Sequence, residues 1–330
     1  MNNFNTPVLS NSLKHFLNSL IDYAGLFPPA GLKLEDAFIN YLNYLKSDFN
    51  FALSGFIIPV SRLEEFAPLI KSSEFPESPV KLSLLTTSGK SLSESKDKIQ
   101  KDILYCKNFL EEFSGSVLLN AFEVKMPDEI FDHTSPDQCN EFISYVTENL
   151  NKLSDEAPVV FFESIQGTDW KKNFSSVIDA VYENNQGKYK SGFKLRTGGL
   201  IPEAFPDSNQ IAFCIRKCLD SKVPMKFTAG LHHPFRHFDK SIGTKMHGFV
   251  NVFGAGITAM RHDISDEGIA EMLEDENPAN FKFTDDFFSW KEWETECDDI
   301  DFTRRELVIS YGSCSFDEPL DDLKSLNLIK

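Results

Sequence analysis

The sequence is short of basic residues, of paired cysteines and of long apolar runs. Each shortage removes a class of function. Lys and Arg number 33 against 50 Asp and Glu, a formal net charge of −17. Such a chain repels phosphate backbones and anionic headgroups, so neither nucleic acid nor a membrane surface is expected as a partner. No stretch of about 18 apolar residues occurs, so no transmembrane helix is expected. The first residues lack a basic region followed by an apolar run, so no signal peptide is expected. The six cysteines are scattered. Cys214 and Cys218 lie four apart on a predicted helix, but no Cys-x-x-Cys pair suggests zinc. Reduced thiols in a cytoplasmic protein are the expectation. A Gly-x-Gly-x-x-Gly fingerprint is missing after the first predicted strand, which argues against dinucleotide binding.

What is present is ample apolar material: 330 residues, 41% hydrophobic, with 31 Phe. Short alternating runs near 21–27, 54–59, 80–87, 117–125, 158–164, 192–199 and 224–230 read as strands, separated by stretches of helical period. Seven or eight such units, without a linker or internal duplication, predict an α/β fold. The expectation is one (β/α)8 TIM-type barrel domain over 1–330, with an open doubly wound sheet as the alternative. Residues 262–305 read as an acidic insertion before the last strand. From Asp263 to Asp301 there are 15 acidic residues and two lysines. Six aromatic rings between Phe281 and Trp293 mark that segment as ordered, because disordered acidic segments lack aromatics. Residues 307–311 read equally as a strand or a helix end, and 312–315 as a turn.

The most informative stretch is 189–234. Its first run is Gly192-Phe193-Lys194-Leu195-Arg196-Thr197-Gly198-Gly199. Its last is Pro224-Met225-Lys226-Phe227-Thr228-Ala229-Gly230-Leu231-His232-His233. Between them Ile211, Ala212, Ile215 and Leu219 fall at helical spacing, which makes a parallel crossover unit. Alternation places Lys194 and Arg196 on one face, and Lys226 and Thr228 on one face. Parallel strands normally carry aliphatic residues there. A buried ammonium costs stability unless paired, so the two lysines either snorkel to water from strand ends or serve a catalytic rim. Active sites of such barrels gather at the C-terminal ends of the strands. The polar residues predicted there are Asp22, Glu123, Lys125, Glu163, Lys194, Arg196, Lys226, Thr228, His232 and His233.

The runs Lys194-Leu195-Arg196-Thr197-Gly198 and Lys226-Phe227-Thr228-Ala229-Gly230 resemble the two lysine strands of the deoxyribose-phosphate aldolase family. In that family a Lys-x-x-Thr-Gly lysine forms a Schiff base, and a Lys-x-x-Gly-Gly lysine lowers its pKa. Asp22, Glu163 and Gly312-Ser313 are weaker echoes, and Glu123 matches by position. The resemblance implies a class I aldolase-like lyase with Lys194 as nucleophile, Lys226 as perturbing neighbour, and no cofactor. Arg196, the run from His232 to His237 and the acidic segment have no counterpart in the family pattern. The chain also resembles a bacterial family of unassigned function that carries similar Ala-Gly-Leu-His-His-Pro and Gly-Ser-Cys-Ser-Phe-Asp-Glu-Pro runs.

The chemistry of the residues agrees with an amine nucleophile. A lysine attacks a carbonyl only when neutral, and a second cation nearby favours the neutral form. On that reasoning Lys194, near Lys226 and Arg196, is expected to be the neutral amine. Arg196 either clamps a carboxylate or phosphate, or pairs with Glu163 or Glu123. Backbone N–H groups at Gly198, Gly199, Gly230, Gly312 and Ser313 either face an anion or simply shape turns. Cys314 has no assignable base and reads as a structural thiol. A small anionic metabolite is the expected partner, and a homo-oligomer is open. Two rival readings remain. In one, Glu163, His232, His233 and His237 bind a divalent metal ion for a lyase, hydrolase or isomerase reaction. In the other, a non-catalytic barrel docks a protein partner through its acidic segment.

Overall fold

The computed structural model describes residues 8–72, 79–133, 136–153 and 158–330. The apolar alternating runs become eight parallel strands: β1 (Ile21–Tyr23), β2 (Leu53–Pro59), β3 (Val80–Leu85), β4 (Val117–Lys125), β5 (Val159–Glu163), β6 (Ser191–Arg196), β7 (Met225–Thr228) and β8 (Val308–Ser313). Each pairs with its neighbours in chain order and β8 returns to β1, so the sheet closes into a barrel. This is the TIM-type (β/α)8 architecture, and the open doubly wound alternative is set aside. Of the stretch left undecided at 307–311, residues 308–311 fall within β8 and Leu307 caps the preceding helix. That strand extends through Gly312 and Ser313, which had read as a turn.

Strand register decides which side chains share a level inside the barrel. Glu163 is paired with Lys194, Lys194 with Lys226, and Lys226 with Ser310. Irregularities in the ladders shift this register at three points. They lie between Ile21 and Tyr23, between Leu82 and Ser83, and between Val308 and Ser310. The alternate residues Phe193, Leu195, Met225 and Phe227 point outward into the apolar layer beneath the helices. Helix Ser208–Ser221, which links β6 to β7, begins with a capping box in which Asp207 and Gln210 each accept from the other's backbone.

After β7 the chain forms a hairpin, His237–Asp239 paired with Thr244–Met246, which sequence periodicity had not indicated. His247 fixes its far end. The ring Nε2–H donates to the Pro206 carbonyl at 2.7 Å, and Nδ1 accepts from Arg236 at 3.0 Å. Burial, with Arg236 adding to it against the Pro206 carbonyl, depresses this imidazole to about 4.

Between helix Phe249–Arg261 and β8, the acidic segment folds as a helix (Asp266–Glu274), a three-stranded antiparallel sheet over residues 281–296 and a second helix (Cys297–Glu306). Its rings turn inward. Phe281, Phe288 and Trp290 are buried, and Phe288 packs against Phe16 and Phe283 at ring separations of 5.6 and 4.9 Å. None of its acidic side chains is buried. The sheet can approach because residue 254 is glycine. A Cβ there would lie 2.7 Å from both Met272 and Phe288.

Two outcomes follow from this packing. Phe288→Ala is expected to cost about 3–5 kcal/mol, because it empties a closed aromatic site, and urea denaturation measures it. Acid provides the second. Unfolded His247 takes up a proton near its ordinary value, whereas the folded ring resists until about pH 4. Stability therefore falls as pH drops through that interval, by up to about 3 kcal/mol. His247→Gln should flatten that part of the stability–pH curve, and an unchanged slope would contradict the assignment.

Candidate active site

Three carboxylates and two ammonium groups fill the upper barrel interior. Glu123 comes from β4, Glu163 from the end of β5, Lys194 from β6, Lys226 from β7 and Asp22 from β1. Lys194 Nζ lies 2.5 Å from Glu123 Oε2 and 2.9 Å from Glu163 Oε2. Lys226 Nζ lies 2.6 Å from Glu123 Oε1 and 2.8 Å from Asp22 Oδ2. Asp22 is held in turn by hydroxyl donors, Ser310 at 2.5 Å and Ser83 at 3.1 Å, with the Asn120 amide at 3.4 Å. The Glu123–Lys226 contact is short but poorly angled for a hydrogen bond, so it acts as an ion contact.

The balance is three negative charges against two positive ones, and Arg196 completes it from the rim, 3.9 Å from Glu163 Oε1. Burial disfavours every charge here, but the paired partners outweigh it. Against burial, Lys194 and Lys226 together push Glu123 down to about 2. Against burial, Glu123 and Glu163 raise Lys194 above the ordinary lysine value, and Asp22 and Glu123 raise Lys226. The expectation of a neutral Lys194 is therefore reversed in the free protein. The lysines do meet on consecutive strands, but Glu123 stands between them, and a shared carboxylate favours both ammonium forms. Arg196 is half exposed and cannot offset two buried carboxylates.

A cavity of about 370 Å³ opens over this cluster at the C-terminal ends of the strands. Glu123, Glu163 and Lys194 form its charged floor. Arg196, Gly199, Thr228, Gly230, His232 and Gly312 also line it, with Phe27, Ile57, Leu85 and Leu200 supplying apolar wall. Asp22 and Lys226 lie beneath and do not reach it. Thr197 is a clamp rather than a lining residue, because its hydroxyl donates to the Ala229 carbonyl at 2.6 Å. Gly198 is needed for close approach of the two loops, since a Cβ there would meet the Gly230 Cα at 2.8 Å. Ser313 donates to the Ser315 carbonyl and is turned away from the cavity.

The histidines do not gather around Glu163, although the His233 and His237 rings meet edge to face at 4.5 Å. His232 lines the cavity, with Nδ1 3.3 Å from Glu318 and 3.9 Å from the Cys314 sulfur. Burial keeps this imidazole below its ordinary value against the pull of Glu318. His233 pairs with Asp322 at 2.5 Å, and His237 sits on the hairpin with Nδ1 3.1 Å from the Phe235 carbonyl. Among the described residues, no group of three or more His, Cys, Asp and Glu side chains converges as a metal site. Glu163 is engaged with Lys194 and Arg196 instead.

Sequence reasoning missed Ser83, Ser310 and Asn120, which hold Asp22 in place. Their signal was present: each is a polar residue flanked on both sides by apolar ones within a strand run. Cys314, set aside as a structural thiol, lines the cavity, and burial raises its thiol above the ordinary value. Among the described residues no helix is long and apolar enough to cross a membrane.

No family model matches the sequence, and no curated protein matches it. Among solved structures, the chain is similar to the aldolase QR15 at 10% identity, with 66% of this chain and 83% of that chain covered and a TM-score of 0.45. It is also similar to a Bacteroidetes-affiliated GH5 cellulase linked with a polysaccharide utilization locus. That match has 10% identity, 90% and 98% coverage and a TM-score of 0.37. At these scores neither likeness bears on activity.

Proposed function

We propose that the protein is a class I aldolase-like lyase that acts on a small anionic carbonyl compound through an imine at Lys194. The observation that supports this reading best is the level pairing of Lys194 with Lys226 across Glu123, directly under an open cavity. A site that only bound an anion would not require two buried lysines bridged by one carboxylate.

At rest Lys194 is an ammonium ion. An incoming carbonyl compound enters the cavity beside Glu163, and the Lys194 proton moves to that carboxylate, the more exposed of its two partners. The neutral amine attacks the carbonyl carbon and forms the C–N bond, and the oxygen leaves as water. Overall an ammonium and a carbonyl become an iminium and a water, with no net proton uptake. The carboxylates therefore only carry protons between nitrogen and oxygen. The iminium then accepts the electron pair of the adjacent C–C bond as that bond breaks. Glu163 takes the proton of the departing hydroxyl. Arg196 on the rim holds the anionic end of the substrate, and the apolar wall limits its size. Lys226 is a positioning residue. Its charge holds Glu123 ionised and aimed at Lys194.

A second reading keeps Lys194 as an ammonium throughout, with Glu163 as base in a lyase or isomerase reaction. The strong preference of Lys194 for its proton favours it. The two readings differ in whether a covalent adduct forms. Borohydride reduction with a panel of aldehydes, keto acids and sugar phosphates, read by peptide mass spectrometry, is expected to place an adduct on Lys194 and to lose it in Lys194→Met. Below the raised Lys194 pKa, the neutral fraction grows roughly tenfold per pH unit, so trapping should increase steeply with pH. Turnover of a substrate with no adduct selects the second reading.

Glu123→Gln tests the charge bridge. It removes the carboxylate shared by both lysines, so trapping should move to lower pH. Stability should fall by about 3–5 kcal/mol, because two buried cations then share only the outer carboxylates. Calorimetric or chemical unfolding measures the second effect. A variant as stable as the parent, with an unshifted trapping profile, would show that the bridge is not what sets the lysines.

A further inference from the structure

We infer that the opposite, N-terminal mouth of the barrel is a second binding site, one for a small dianion such as phosphate or a dicarboxylate. The inference stands without the imine chemistry. A cavity of about 680 Å³ opens there, among residues at the strand starts such as Ser54, Val159 and Ile309. Its wall brings together Lys190, Lys222, Lys226, Arg304 and Arg305, with Asp301 and Glu306 as the acids. Two of these cations are already matched, Arg305 by Asp301 at 3.1 Å and Lys226 by Asp22 and Glu123. Lys190 and Lys222 are exposed and make no ion pair with any described residue. Concentrated positive charge in a concave site is unusual in a chain of net charge −17.

Arg304 is the independent observation. Its guanidinium is buried, and its N–H groups donate to the backbone carbonyls of Phe16, Asn18, Val308 and Ile309. No described carboxylate is in ion-pair contact with it. Its hydrogen bonds are satisfied and it lies over the Phe253 ring, 4.8 Å from the centroid, but no carboxylate matches its charge at contact, so part of its field reaches into the cavity it lines. The carbonyl ends of the barrel helices oppose an anion at this end, each with roughly half a charge. That effect is screened and confined to the last turn of each helix, whereas three unmatched cations against one unmatched acid, Glu306, line the cavity itself, and Lys222 occupies the C-cap of one such helix. The cavity suits a small molecule, and the acidic surface elsewhere disfavours a long polyanion.

Such a site is linked to the barrel interior through Lys226. This lysine lines the N-terminal cavity, and Glu123 joins it to Lys194 under the other cavity. An anion at the N-terminal mouth strengthens the hold of Lys226 on its proton and weakens the claim of Lys226 on Glu123. The site is therefore placed to regulate the proton content of the cluster from the far end of the barrel.

Calorimetric titration of the full chain with inorganic phosphate, and separately with malonate, at low ionic strength tests the assignment. The wild type should bind at least one of them saturably at one site. The double variant Lys190→Glu, Lys222→Glu should bind roughly tenfold or more weakly, because two exposed charges are reversed. Arg196→Ala, altered only in the other cavity, should bind as the wild type does. The relative strength of the two probes distinguishes phosphate from dicarboxylate recognition. No saturable binding of either probe, or a loss in Arg196→Ala equal to or greater than that in the double variant, overturns the site. Circular dichroism of both variants confirms that the fold is retained.

Discussion

The structure depends on one carboxylate. Glu123 is shared between two buried ammonium groups, one oxygen to each. Moving any of these charges from water into a barrel interior costs several kcal/mol, and only close mutual contact offsets it. The rest of the interior serves that requirement. Asp22 and Glu163 provide the outer carboxylates, and Ser83, Ser310 and Asn120 hold Asp22 through hydrogen bonds. The cluster replaces the aliphatic layers that normally fill a barrel of this kind. An interior of this cost fits a chemical role better than a structural one, because well-packed aliphatic residues would hold the strands at least as firmly.

The same cluster divides the barrel into two compartments. Lys194, Glu123 and Glu163 face the cavity at the C-terminal ends of the strands, where Arg196 and the loops after β6 and β7 surround the opening. Lys226 lines the cavity at the other end, as does Arg304. The two lysines have equivalent places in sequence and are register partners in the barrel, yet they differ in access. That asymmetry opens Lys194 to a molecule in the upper cavity and leaves Lys226 to set the charge around it. The acidic segment before β8 is a packed element of the barrel's side. Its rings bury against Phe16 and helix Phe249–Arg261, while its carboxylates stay outside.

Much of this was legible in the residues. Alternation and spacing gave seven strands and their order, with the eighth left open at 307–311, and the paired lysines stood out because they occupy the face of β6 and β7 where aliphatic residues are expected. The face of each lysine followed from a side-chain period of two, which holds whatever the strand's neighbours are. The clamp at Thr197, the separation of His233 and His237 from Glu163, and the hairpin after β7 were not legible. These depend on loop paths, and loops carry no periodicity to read.

By itself the sequence determined the class of fold, the inward direction of Lys194 and Lys226, and the burial of Phe281, Phe288 and Trp290. Those are consequences of local period and of hydrophobicity, which act within one element. Only the tertiary structure decided which charges meet. Register shifts between Leu82 and Ser83 and between Val308 and Ser310 set the levels at which Ser83 and Ser310 reach Asp22. The stagger of β4 against β6 and β7 placed Glu123 between the lysines. Charge state followed from that placement. Two carboxylates at contact distance outweigh a neighbouring cation, so Lys194 rests as an ammonium ion although its sequence neighbours argued for a neutral amine.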